Sequence, residues 1–125
     1  MSTNYLTYSR KKWRDLGYYV ETVEHTHRRG NKVWRTDLHG FTDLLAVSPE
    51  GERVYLQVTS WANVPTRVRK IKTETIGKGQ WEVEVAELAR RVLKAGHRIV
   101  VEGWKQDRPG SKYRDREREM TLEDL

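Results

Sequence analysis

The segment Val54-Tyr55-Leu56-Gln57-Val58-Thr59 constrains the fold more than any other stretch of the chain. It is rich in β-branched and aromatic residues and it alternates. A strand here sends Val54, Leu56 and Val58 to one face and Tyr55, Gln57 and Thr59 to the other. Just before it, Ser48-Pro49-Glu50-Gly51 is a strong turn signal, and Thr42 to Val47 is a short apolar strand carrying one acid, Asp43. Strand, tight turn and strand make a hairpin, whose pairing brings Asp43 close to Gln57, Val58 and Thr59.

The remaining elements follow the same logic. Asn4 to Leu16 sets Leu6, Arg10, Trp13 and Leu16 near one helical stripe, with Gly17 as a stop. Tyr18 to Glu24 and Val33 to Thr36 read as strands, separated by a polar turn from His25 to Lys32 that contains Gly30-Asn31. Asn63 to Gln80 holds Pro65, Gly77 and Gly79 and is densely basic, so a functional loop with one helical turn is expected. Trp81 to Ala95 is the best helix, because Val85, Leu88, Ala89 and Val92 lie at i, i+3, i+4 and i+7 and Gly96 closes it. Arg98 to Trp104 is a last strand. From Gln106 the charges alternate, which predicts a fraying helix or no fixed structure. The order is α-β-β-β-α-β: a single α/β domain over residues 1–105, with a central mixed sheet flanked by helices, followed by a charged tail, 106–125.

A chain of 125 residues has room for one core, and its 36% apolar content with five tryptophans can build it. The complete lack of cysteine removes disulfides, thiolate zinc sites and cysteine nucleophiles together. No run approaches the ~20 apolar residues that span a bilayer, and Met1 to Tyr5 has no apolar signal stretch, so a cytoplasmic protein without membrane contact is expected. The net charge of +6 is unevenly spread. Residues 1–36 hold eight basic and three acidic side chains, 37–62 one and four, 63–81 five and one, and 82–125 ten of each. Basic flanks suit a polyanion, because each phosphate neutralised releases counterions. An acidic centre opposes a polyanion unless a cation sits on it.

The hairpin offers such a place. A carboxylate from Asp43, an amide oxygen from Gln57 and a backbone carbonyl are hard oxygen ligands of the kind that Mg²⁺ or Mn²⁺ prefers. An ion held there would neutralise the acids and clamp a phosphate drawn in by the basic flanks.

The stretches Asp37-Leu38-His39-Gly40-Phe41-Thr42-Asp43-Leu44-Leu45-Ala46-Val47 and Tyr55-Leu56-Gln57-Val58-Thr59-Ser60 resemble the two motifs of the PD-(D/E)XK nuclease superfamily. Archaeal Holliday-junction resolvases, restriction enzymes and small phage-encoded nucleases belong to it. The resemblance implies the restriction-endonuclease-like αβββαβ core and covers residues 5–104 as architecture, but only about ten positions as motif. It implies a metal-dependent endonuclease acting on DNA, with junction or branched DNA among the substrates, and Mg²⁺ or Mn²⁺ held by Asp43 and Gln57. The Val58 carbonyl and Asp37 would assist, Asp37 ranking below Asp43. Members of this size often act as homodimers. The chain departs from the pattern in three places. Thr42 replaces a proline, Gln57 stands where an acid is usual, and Thr59 replaces the lysine that orients the attacking water and stabilises the developing charge. In related nucleases that lysine migrates to a neighbouring element, and here Lys70 or Lys72 can reach back. Resolvases also carry a glutamate in the first helix, where only Asp15 is available.

Each feature also has a plainer role. Asp43 can cap a turn or pair with an arginine, Gln57 can hydrogen-bond within a half-buried sheet, and Thr59 is an ordinary strand residue. The basic run Arg67, Arg69, Lys70 and Lys72 can be a solvated surface, although its place after the hairpin favours phosphate contact. Arg10, Lys11 and Lys12 are weaker phosphate candidates on a helix face. Trp13, Trp81 and Trp104 are expected in the core. Trp34 and Trp61 flank the hairpin, and Trp61 can stack on an unpaired base, a contact worth ~1–3 kcal/mol. His25 and His27 point to one side of an extended chain but lack an obvious third ligand. His39 can assist proton transfer, and His97 follows a helix end. If no lysine replaces the missing one, the expectation becomes a catalytically degenerate nucleic-acid-binding protein; a protein-interaction factor with basic faces is a third.

Overall fold

A computed structural model of the chain describes residues 4–23, 25–36 and 38–125. The elements run α1 (Asn4–Asp15), β1 (Tyr19–Thr22), β2 (His25–Arg29), β3 (Lys32–Thr36), β4 (Leu44–Val47), β5 (Arg53–Ser60), α2 (Val64–Thr73), β6 (Thr75–Ile76), β7 (Val83–Glu84), α3 (Val85–Lys94), β8 (Arg98–Gln106) and β9 (Tyr113–Met120). Five strands form one sheet in the order β1-β4-β5-β8-β9, while β2-β3 and β6-β7 are separate antiparallel pairs. Only β5 and β8 run parallel within the main sheet, so it is mixed. The α/β class with a helix-flanked mixed sheet is as expected. No helix among the described residues is long and apolar enough to cross a membrane.

The period of two in β5 sorts the core into two layers. Val54 and Leu56 pack with Trp13 of α1, Val20, Leu44, Ala46 and Val100. Tyr55 packs on the other side with Val68 and Ile71 of α2, Val85 and Ala89 of α3, and Ile99 and Val101. One helix therefore covers one face, and two helices cover the other. Gly103 on β8 lets the chain leaving β5 cross tightly over the sheet. A Cβ there would lie 2.4 Å from Val64 Cγ2, 2.9 Å from Trp61 Cα and 3.0 Å from the Ser60 carbonyl oxygen.

Four local expectations are corrected. Residues 64–73 form a ten-residue helix rather than a loop. Val64, Val68 and Ile71 make its buried stripe at i, i+4 and i+7, and Pro65 sits in the first turn, where its missing N–H loses nothing. The segment from His25 is a strand up to Arg29, and only Gly30-Asn31 forms the turn. The α3 helix starts at Val85, leaving Trp81 77% exposed instead of in the core. The largest correction is the tail. Tyr113 to Met120 is the fifth strand, paired along its whole length with β8. Its alternating charges have the period of a strand, and the pleat sends arginines to one face and acids to the other.

Candidate functional site

The β4–β5 register ends at Leu44↔Leu56, and Asp43 stands one step beyond β4. The Asp43 N–H donates to the Leu56 carbonyl at 2.8 Å, and Asp43 Oδ2 accepts the Val58 N–H at 2.8 Å. Its carboxylate thus continues the β4–β5 ladder after the β4 backbone has turned away. In a strand the N–H and C=O of one residue point to the same neighbour, so the Val58 carbonyl is directed toward Asp43 as well. Asp43, Gln57 and Thr59 are all buried. The hairpin thus ties Asp43 to the backbone on both sides of Gln57. As ligands, Asp43, Gln57 and the Val58 carbonyl suit a hard divalent ion, offering a carboxylate, an amide oxygen and a peptide oxygen with a single negative charge. Asp37, and the side chains of His25, His27 and Trp34, lie outside the described residues.

The α2 helix sets its two lysines on separate flanks. Successive residues turn by about 100°, so Pro65, Arg69 and Lys72 fall on one side of the buried stripe and Arg67 and Lys70 on the other. Pro65, Arg69 and Lys72 line a cleft with Arg116 and Arg118 of β9. Strands β9 and β5 lie on opposite sides of β8, over which Val64 sits. Lys72 therefore belongs to the flank beside β9, and Arg67 and Lys70 to the other flank of the helix. Lys70 is exposed and lies 4.0 Å from Glu74, an ion pair weak enough to be exchanged.

Arg10, Lys11 and Lys12 belong to the helix that covers the opposite face of the sheet, and each has a partner within the protein. Lys12 Nζ lies 2.5 Å from Glu102 Oε2, Asp115 Oδ2 and Glu117 Oε2. Lys11 pairs with Asp15 at 2.8 Å, and Arg10 donates to the Thr22 and Thr7 hydroxyls. This run and Asp15 belong to the helix on the face opposite α2, and Lys12 is held within the protein. The three carboxylates meet closely enough to hold a metal ion, but Lys12 fills that place. Burial pulls the Lys12 ammonium down, and its bonds to Asp115, Glu102 and Glu117 more than reverse this, holding it above the ordinary lysine range. Burial pushes Glu102 up against the pull of Lys12 and Ser9. Ser9 links the cluster inward, donating to Glu102 Oε1 and accepting from Trp104 Nε1. Glu102 escaped the sequence reading, although a lone acid inside Ile99-Val100-Val101-Glu102-Gly103-Trp104 signals a buried ion pair.

Two histidines complete the survey. His39 adopts a positive φ of 57° in the loop before β4, and burial lowers its pKa below the ordinary histidine value. The His97 ring stacks at 6.0 Å from Tyr55, and its backbone N–H closes the end of α3 on the Val92 carbonyl. Comparison with protein-family models, curated proteins and solved structures gives no match, so the geometry alone carries the functional reading.

Proposed function

We propose that this domain binds DNA and hydrolyses its phosphodiester bonds at the β4–β5 edge with Mg²⁺ or Mn²⁺. The observation that carries this is the bond of the Asp43 carboxylate to the Val58 N–H, beside the buried Gln57; Arg67 and Lys70 on the free flank of α2 would supply the positive charge. When bound there, a hard divalent ion supplies Lewis-acid activation of the phosphoryl group. The chain's own part follows from charge. Arg67 holds a phosphate by its planar fork of donors. Lys70 offers the positive charge that Thr59 lacks, stabilising the negative charge that develops on the phosphoryl oxygens. Asp43 carries the anionic share of the ligand set, because Gln57 is neutral.

Asp43→Asn is the direct test, with cleavage followed on junction, duplex and single-stranded DNA in Mg²⁺ and Mn²⁺. The variant should lose metal-dependent cleavage and the metal-induced rise in melting temperature, while metal-free DNA affinity stays equal or increases. Undiminished cleavage would remove the site assignment. A second reading, DNA binding without cleavage, is favoured by Thr59 and by the burial of Gln57 and Thr59. It predicts no cleavage by the unaltered protein on any of these substrates.

A further inference from the structure

Trp61 follows β5 and lies under three cations at once. Lys105 Nζ stands 4.3 Å from the ring centre, and the guanidinium carbons of Arg114 and Arg116 stand 4.9 Å from it. These side chains come from β8 and β9 and share one face of the sheet. Asp107 is the one carboxylate among the described residues that pairs with them, at 3.6 Å from Lys105 and 2.8 Å from Arg114. Arg114 holds Asp107 below the usual carboxylate range, so this acid is already ionised and fully used.

Arg116 has no carboxylate partner among the described residues. It donates to the Trp61 carbonyl oxygen at 2.6 Å, and its Nε is buried without a hydrogen-bond partner. The same side chain lines a cleft of about 450 Å³ with Arg69, Lys72, Arg118 and one carboxylate, Glu117, which is already bound to Lys12. Neither Arg69 nor Lys72 has an ion-pair partner among the described residues. Cations crowded on one aromatic ring repel one another, and the geometry leaves them short of anions by more than one. A positive groove with an aromatic platform is the composition that tracks a nucleic-acid backbone.

We infer that Lys105, Arg114 and Arg116 around Trp61, continued by Arg69 and Lys72, form a phosphate-binding surface on the β9 side of α2. It is distinct from the β4–β5 edge. This rests on the DNA-binding reading and extends it, since it assigns the backbone a second contact one helix away from the proposed chemistry.

The test uses the full chain without metal and a DNA duplex, with affinity measured across a salt series. Lys105→Gln with Arg114→Gln removes two charges at side chains 35% and 54% exposed, which leaves the fold intact. Arg91→Gln with Lys94→Gln on the outer side of α3 is the charge-matched control. The plot of log K against log salt should become less steep by about 1.8 in the first pair, at about 0.9 per phosphate contact, and stay unchanged in the control. An unchanged slope in the first pair, or an equal change in both, overturns this surface while leaving DNA binding in place. Absence of salt-dependent binding by the unaltered protein overturns both readings together.

Discussion

On the α1 face of the sheet, Asp115 and Glu117 of β9 close with Glu102 upon Lys12, under the cover of a helix. On the α2 face, the intervening Arg114 and Arg116 of the same strand lie over Trp61 and beside a cleft whose other wall is also basic. One strand thus supplies an acidic row and a basic row, and the two meet opposite fates. The acids find an internal cation and become structure. Arg114 shares one carboxylate, Asp107, with Lys105, Arg116 finds none among the described residues, and an excess of positive charge remains. A charge whose partner lies in the same chain contributes to folding, whereas one left without a partner is available to a ligand. A count of net charge cannot tell the two apart.

Removing Lys12 would break the comparison most severely. Lys12→Met leaves three carboxylates around an empty centre, one of them fully buried, and should destabilise the protein by about 3–5 kcal/mol near neutral pH. Burial already raises Glu102 above its unfolded value and only Lys12 and Ser9 oppose it, so without the ammonium the loss should shrink as pH falls and Glu102 takes up a proton. Urea denaturation at neutral and mildly acid pH would check both points. A loss independent of pH would mean that packing, not charge, holds the cluster.

The two flanks of α2 sharpen the comparison within one helix. Lys70→Ala should lower metal-dependent cleavage by about 10²–10³-fold, as expected when a group stabilising developing charge is removed. Lys72→Ala should preserve the single-turnover rate and flatten the salt dependence of binding by about 0.9. Equal rate losses in both variants would merge the flanks into a single site. Gly103→Ala addresses the boundary between them, because the new methyl would press on Val64 and on the Trp61 and Ser60 backbone. A loss of about 1–3 kcal/mol is expected, measured by chemical denaturation. A neutral substitution would show that this crossing is not tightly set.

The smallest effect concerns Arg118, the β9 arginine that pairs with Asp124. Its guanidinium holds Asp124 in a two-point contact, and this, with the Thr121 N–H, pulls Asp124 below its ordinary range. A depressed carboxylate contributes stability that is complete above the unfolded pKa and lost as pH falls through the folded one. Asp124→Asn should therefore cost about 1 kcal/mol or less near pH 6 and nothing in strong acid. Melting temperatures across pH would measure it, and a constant difference would refute it.

Much of the fold was legible because local chemistry and global packing agree. The alternation of β5, the turn at Ser48 to Gly51 and the apolar spacing from Val85 to Val92 each name one structure, and each is found. The pairing of Asp43 with the Gln57–Val58 edge was equally readable, because a tight hairpin fixes register over a short distance. Where the reading failed, two structures fitted the same letters. Pro65 and the basic density hid the stripe of α2, and the charges from Arg114 to Glu119 fitted a solvated helix as well as a strand. Only β8 resolves that second ambiguity, by offering an open edge and, through Lys12 and Trp61, a partner for each row. By itself the sequence determined the hairpin and its polar edge, since both depend on neighbours a few residues apart. The tertiary structure decided which cations are consumed within the protein and which are left beside the cleft next to β9. Lys12 meets Glu102 across 90 residues, and no local pattern carries a contact of that range.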